Sequence, residues 1–237
     1  MLQPSDFFDL SDPLVEGLFK DCDYVWQALA HLEINVERLI QDSRTVLGEV
    51  MEGAYLSDRA LYIDRGARIE PGAYVLGPAY IGKGAVVKHG ALVRENVIML
   101  SGSVLGHACE AKHSIMLPRA HAPHFNYIGD SILGAHTNLG AGTKLSNLTM
   151  MSVKDPTTGL RPTLRITVGD KEYDTGLAKL GAIIGDDVQT GCNAVLNPGC
   201  LVGPRTLIYA NVSLRKGYYS PDCILKLRQA VEGYNIR

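Results

Sequence analysis

The sequence predicts a mainly β chain, a parallel β-helix of six-residue repeats with helical pieces at both ends, and three observations predict it. Aliphatic side chains recur at every sixth position, from Ile63 through Ile69, Val75, Ile81, Val87, Val93, Met99 and Leu105 to Ala111 and Leu117. Small or β-branched residues follow four places later (Ala67, Ala73, Ala79, Ala85, Ala91, Val97, Ser103, Cys109), and a turn former often follows three places later, as at Gly66, Gly72, Pro78 and Asn96. Of 237 residues 46% are apolar but only 7% aromatic, with 25 glycines, so the core is aliphatic and the chain is rich in corners. Each repeat reads as a short strand plus a corner that tolerates positive φ. Three such edges close a triangular coil in about 18 residues, and coils stack about 4.8 Å apart, so residues 18 apart lie one above another.

The elements follow in order. Residues 1–45 form an N-terminal helical extension, in which 23–42 sets Val25, Leu29, Leu32, Val36 and Leu39 on one stripe behind Asp23 as N-cap. The β-helix occupies 46–217, its rhythm resuming at Leu133, Leu139 and Leu145 and again at Ile184, Thr190, Leu196, Val202, Ile208 and Leu214. Between these runs, residues 149–178 break the period and form an inserted arm, whose stretch from Arg165 to Tyr173 reads as a hairpin turning at Gly-Asp. Pro118 to Asn126, polar and carrying two histidines, reads as a second excursion from the frame. Residues 218–237 read as a C-terminal helix opened by Ser220-Pro221 and carrying Ile224, Leu225 and Val231. Both helical pieces are expected to cap the prism or make subunit contacts.

Charge and cysteine usage narrow the function classes. Lys+Arg 23 against Asp+Glu 25 leaves a net charge of −2, without the broad basic surface that nucleic acid or an anionic membrane selects. The N-terminus has no charged-then-apolar signal pattern, and no apolar run is long enough to span a bilayer, so a cytoplasmic protein is expected. Five cysteines without a C-x-x-C pair point to free thiols.

Spacing also nominates chemistry. Arg94 and Lys112 hold the second position of their repeats and are 18 apart, so two cations project from adjacent coils. Such a pair suits a phosphate monoester, and it equally suits a solvated surface; stacking alone does not choose. Ala141, Cys192 and Ala210 all hold third positions, a line of small side chains that exposes backbone N–H and C=O groups along a groove, where an extended pantetheine could hydrogen-bond, and that is also simply compatible with tight corners. A histidine such as His124 is the side chain best suited to take a proton from an amine near neutral pH, while a lone loop histidine is more often a surface residue; His121 competes as the base or pairs weakly with it on a metal. His89 and His107, again 18 apart, are expected to stack as surface histidines, no third metal ligand being suggested.

Four motifs carry a family resemblance: Glu-Ala-Lys-His at 110–113, His-Phe-Asn-Tyr-Ile-Gly-Asp at 124–130, Asn-Leu-Gly-Ala-Gly-Thr at 138–143 followed by Asn147, and Lys-Leu-Gly-Ala-Ile-Ile-Gly-Asp-Asp at 179–187. From about residue 60 to 216 the chain resembles the acetyltransferase domain of the bifunctional UDP-N-acetylglucosamine pyrophosphorylase/glucosamine-1-phosphate N-acetyltransferases, especially their archaeal-type sugar-1-phosphate members. The resemblance implies a left-handed, homotrimeric hexapeptide prism with sites between subunits, using acetyl-CoA as cosubstrate and requiring no metal. It implies that His124 is the general base, that Arg94, Lys112 and Tyr127 hold the sugar phosphate, and that Asn138 and Asn147 orient the sugar, with Lys179 coming from the neighbouring subunit. The backbone at Ala141 would meet the thioester carbonyl, and Cys192 and Ala210 would line the acetyl-CoA groove. Arg215 and Lys216 are the nearest cations for the 3′-phosphate of CoA.

The family's Gly-rich nucleotide loop with its following Lys is absent near the N-terminus, so pyrophosphorylase activity is not expected. Cys192 stands where the bacterial enzymes usually carry serine, and Leu148 where a tyrosine follows their asparagine. The expected function is N-acetylation of an amino-sugar 1-phosphate, glucosamine-1-phosphate or galactosamine-1-phosphate, in nucleotide-sugar synthesis. The alternative is a non-catalytic sugar-phosphate-binding or assembly subunit beside a separate nucleotidyltransferase, and a third reading is acyl transfer to another amine or hydroxyl of a nucleotide sugar. No nucleic-acid or membrane partner is expected.

Overall fold

The computed structural model describes residues 2–41 and 44–230. Residues from 44 onward wind into a left-handed parallel β-helix with three flat faces. The first face is a nine-stranded sheet running from Arg44–Val46 through Leu61–Ile63, Ala79–Ile81, Val97–Met99, Ser114–Met116, Ile132–Leu133, Ala182–Ile184 and Cys200–Val202 to Gly217–Tyr219. The second face stacks Arg68–Ile69, Val86–Val87, Val104–His107 and His121–His124 below Gln189–Thr190, Leu207–Ile208 and Ile224–Leu225. The third runs from Tyr55–Leu56 to Ser213–Leu214 by way of Leu92–Val93, Glu110–Lys112, Tyr127–Gly129 and Lys144–Leu145. Corners are marked by left-handed residues stacked in columns, such as Asn96, His113 and Asp130 between the third and first faces and Ala108, Phe125, Gly142, Asn193 and Asn211 between the second and third. The six-period aliphatics point inward and are sealed: Ile63, Ile69, Val75, Ile81, Val87 and Val93 are all 0% exposed.

The period departs from six where two edges shorten. Met99 pairs with Met116, 17 residues on, and Ile115 with Ile132, so Met116 rather than Leu117 takes the inward place. Leu117 is buried on the outside of the first face instead. Ser114 and Ser131 explain the shortening: each buried hydroxyl bonds back to a carbonyl two residues earlier, Lys112 and Gly129 respectively, and so closes the tighter corner. The segment from Pro118 to Asn126 is therefore no excursion. His121–His124 pairs in parallel with Val104–His107, and Ala122 faces inward at 0% exposure. Pro123 fits because Gly106 lies beneath it; a Cβ there would fall 1.8 Å from the Pro123 carbonyl oxygen.

The helical expectations also need correction. Residues 23–42 are not one helix behind Asp23. They form α2 (Gln27–Ala30) and α3 (Leu32–Ile40), broken at His31, after an unforeseen α1 (Pro13–Phe19) that Asp12 caps by accepting from Leu14 and Val15 N–H. Through residue 230 no C-terminal helix forms. Ile224 and Leu225 pair with Leu207 and Ile208 as a further coil, so an apolar pair that suits a helical stripe is one more strand; Val231 lies outside the described residues.

The N-terminal lobe lies flat on the first face. Leu29, Leu32 and Val36 join Tyr80, Ile98, Ile115, Ile132, Ile183 and Leu201 in a second core. The arm carries an antiparallel hairpin, Arg165–Val168 with Lys171–Asp174, around Gly169-Asp170. Leu164 and Ile166 anchor it in the same core, and Tyr173 meets Tyr24 edge-on at 5.6 Å. The lobe and arm thus occupy the first face, leaving the second and third for chemistry.

Candidate active site

On the third face the ladder holds Arg94 and Lys112 in register, since Val93 pairs with Ala111. Three carboxylates that spacing did not reveal surround them. Arg94 bonds Glu110 at 3.1 Å and lies 3.5 Å from Glu95, while Lys112 Nζ is 3.9 Å from Asp130. The Glu110 contact raises the Arg94 guanidinium further still. Burial pushes Glu95 up, but its own backbone N–H, Arg94, Lys112 and Arg59 outweigh it and hold its carboxyl below the usual range. These acids meet the cations around a corner or diagonally, not within one stacked column, so column spacing does not single them out.

One coil above Lys112 stands Gly129, and the missing side chain leaves a cradle. A Cβ at Gly129 would lie 2.7 Å from the Tyr127 hydroxyl and 2.9 Å from Asn147 Cγ. The Tyr127 hydroxyl donates to Asn147 Oδ1 at 3.5 Å, and the Asn147 amide donates to Asp130. Burial raises the Tyr127 phenol, reinforced by Glu110 and Asp130 against Arg94 and Asn147, so it stays a neutral donor. Arg94, Lys112, Tyr127 and Asn147 are thus one connected group of cations and polar groups.

At the corner between the second and third faces lies a second group. His107 pairs with His124, and corner bonds run Phe125 N–H to His107, Gly142 N–H to His124, Asn193 N–H to Ala141 and Asn211 N–H to Cys192 carbonyls. His89, His107, His124, Ala141, Cys192 and Ala210 are therefore one vertical column. The lower rings stack, His89 on His107 at 5.3 Å and 4°. The Phe125 ring meets His107 edge-on, and the exposed His124 imidazole hydrogen-bonds to nothing among the described residues. Above it the side chains shrink, and the N–H groups of Ala141, Cys192 and Ala210 donate to no acceptor among the described residues. The column places His124 directly under Ala141, a stacking the 18-residue rule missed because the coil there has 17 residues.

Other expected residues stand apart from these two groups. Asn138 lies on the second face, bridging His121 and Gln189. His121 heads the strand that ends at His124, and its own ladder position is on the flat of that face. Lys179 is exposed, and its neighbour Leu180 donates to the Asn147 carbonyl, which brings the arm's exit to the rim of the third-face group in the same chain. Cys109 and Cys200 are buried, and burial pushes the Cys200 thiol up to about 12, so neither serves as a nucleophile. Among the described residues no cluster of His, Cys, Asp or Glu has the makings of a metal site, and no helix is long and apolar enough to cross a membrane.

Comparison with known proteins agrees with this frame. The family model for the bacterial transferase hexapeptide, six repeats, matches residues 181–216. The bifunctional sugar-1-phosphate nucleotidylyltransferase/acetyltransferase of Sulfurisphaera tokodaii is 30% identical over 194 residues, 82% of this chain and 45% of that protein. The bifunctional protein GlmU of Methanococcus maripaludis is 32% identical over 217 residues, 92% of this chain and 49% of the relative. The chain is homologous to these bifunctional proteins. It spans about half the length of these relatives. Among solved structures, the acetyltransferase domain of PglB from Neisseria gonorrhoeae FA1090 in complex with acetyl coenzyme A aligns over 82% of this chain and 62% of that one, at 16% identity and a TM-score of 0.24, too loose a likeness to argue from.

Proposed function

We propose that the chain is an acetyl-CoA-dependent N-acetyltransferase acting on an amino-sugar 1-phosphate, glucosamine-1-phosphate or galactosamine-1-phosphate, as a homotrimer. The observation that carries this reading is the corner column: an imidazole at the foot of three successive N–H donors, at Ala141, Cys192 and Ala210, none of which has a hydrogen-bond partner among the described residues. From His124 the column rises three coil steps, about 14 Å, and its three backbone donors span the upper two, about 10 Å, along which an extended acyl-pantetheine chain would lie. The relatives named as acetyltransferases support the same class of reaction.

In this mechanism His124 takes a proton from the substrate ammonium, and the freed amine attacks the thioester carbon. The Ala141 N–H stabilises the developing oxyanion; the attacking nitrogen sheds its second proton to solvent, collapse breaks the C–S bond, and the His124 imidazolium gives its proton to the CoA sulfur, so that one proton is released overall. Arg94, Lys112 and Tyr127 hold the phosphate, with Asn138, Asn147 and Lys179 orienting the sugar. Binding requires the anion to displace Glu110 and Glu95 from Arg94. Because His124 and the third-face group occupy different edges of one chain, a complete site draws them from adjacent copies, through the two faces the lobe leaves uncovered.

Mixing the protein with acetyl-CoA and either sugar phosphate should release CoA thiol, and His124→Ala should abolish release while the oligomer persists by light scattering. Equal rates in the two proteins would remove His124 as the base. A second reading, a sugar-phosphate-binding subunit without catalysis, draws support from the cations' own carboxylate partners, which leave three acids against two bases in the unliganded group. Calorimetric binding of a sugar phosphate with no affinity for acetyl-CoA would favour it.

A further inference from the structure

We propose that Asp130 is a positioning residue of the acceptor pocket, fixing at once the Asn147 amide, the Lys112 ammonium and the point where the arm rejoins the frame. This rests on the acetyltransferase reading above and deepens its acceptor site.

Asp130 occupies the left-handed corner of a shortened edge, at φ 44°, with its side chain only 8% exposed. An ionised carboxylate that enclosed must be compensated by donors and cations. Its Oδ2 accepts from Asn147 Nδ2 and faces Lys112 Nζ at 3.9 Å. That bond decides which way the Asn147 amide is turned: with its nitrogen on Asp130, its oxygen is left for the Tyr127 hydroxyl over the Gly129 cradle. The backbone does equal duty. Asp130 N–H donates to the Lys112 carbonyl at 2.9 Å, and its carbonyl accepts from Gly181 N–H at 2.7 Å. Gly181 cannot retreat or be replaced cheaply, since a Cβ there would lie 2.1 Å from both the Gly129 carbonyl oxygen and Ser131 Oγ. The arm's exit, with Lys179 two residues before Gly181, is thereby tied to the same corner.

Asp130 touches no acceptor in this scheme; it acts through Lys112 and Asn147. The charge matters as well as the shape, because a neutral amide at 130 keeps at most one oxygen to accept from Asn147, makes that bond no longer charge-assisted and loses the counter-ion of Lys112.

The test is Asp130→Asn, with Asn147→Ala and the double variant, assayed for CoA release and titrated calorimetrically with glucosamine-1-phosphate. The expected result is an acceptor KM and a sugar-phosphate Kd raised about tenfold, the scale of one charge-assisted hydrogen bond. The KM for acetyl-CoA should be unchanged, and the double variant should be no worse than about the poorer single one. A rise in acetyl-CoA KM equal to that for the acceptor would mark Asp130 as general support and overturn the proposal, as would strictly additive effects with Asn147→Ala. If wild type releases no CoA, the acetyltransferase reading fails alone, and the titration still decides: weaker sugar-phosphate binding by Asp130→Asn upholds the positioning role, and equal binding overturns it. Should Asp130→Asn fold poorly, Lys112→Met reports the same coupling from the other partner, and an Asn147→Ala effect unaltered by it overturns the proposal.

Discussion

Gly129 shows how much a single missing side chain does in this molecule. Its φ is not in the left-handed region, so alanine strains no backbone there, and the atoms a Cβ would meet are a tyrosine hydroxyl and an asparagine amide carbon. Both belong to side chains that can swing, so Gly129→Ala should leave the thermal midpoint within a few degrees of wild type, consistent with a change of about 1 kcal/mol or less. The displaced Tyr127 and Asn147 would fill the cradle above Lys112. Acceptor KM should therefore rise several-fold while acetyl-CoA KM holds, a split that steady-state kinetics reads directly; an unchanged acceptor KM would mean that the cradle receives nothing. At this scale the even spacing of 18 exposed Arg94 and Lys112 as column members; it did not expose Glu95 and Glu110, which meet Arg94 along the chain and diagonally, and it misplaced Asp130, which is 18 from Lys112 but stands at the corner because the shortened coil stacks Gly129 on Lys112.

Among the elements, the strands of the prism announced themselves because every sixth side chain must be aliphatic to fill a narrow triangular core. The shortened edges did not, since there a serine hydroxyl, at Ser114 and Ser131, replaces a residue of chain with a hydrogen bond. Ile224 and Leu225 were ambiguous for a different reason: two adjacent apolar residues satisfy a strand or a helical stripe equally. The joint between lobe and prism was not legible at all, because its key contact is tertiary. Asp186 accepts from Asp9 N–H at 2.7 Å and Ala135 N–H at 2.6 Å, while its own N–H donates to the Phe7 carbonyl. Burial nevertheless pushes its carboxyl above the usual range, with Asp187 and Asp9 adding repulsion. A carboxyl raised on folding binds its proton more tightly in the native state, so its titration contributes stability that is complete below the unfolded value and is lost as pH climbs through the folded one. Asp186→Asn cannot titrate. The stability gap between wild type and this variant should be larger near about pH 4 than near about pH 7 in urea titrations; a gap that widens toward neutrality would show that the two N–H bonds dominate over burial.

For the molecule as a whole, the lobe decides which faces remain available. Ile98, Ile115, Ile132, Ile183 and Leu201 point outward from the first face yet are 0% exposed, because the N-terminal lobe and arm cover them. Phe7 reaches Tyr218 edge-on at 6.1 Å, so the cover extends to the last strand of that face. Each such aliphatic side chain is worth about 1.5–3 kcal/mol when fully buried. Five together are of the order of a domain's entire net stability of about 5–15 kcal/mol. Deleting residues 1–41 should therefore do more than loosen an appendage. The truncated chain is expected to aggregate through a bare apolar sheet, or to unfold at a much lower urea midpoint, with size-exclusion chromatography separating the two outcomes. A truncated chain that stays soluble at wild-type size with an unchanged midpoint would mean that the first face needs no cover. That would also free the first face for subunit contact, and the proposed assembly through the second and third faces, on which the pairing of His124 with the third-face group depends, would lose its geometric basis.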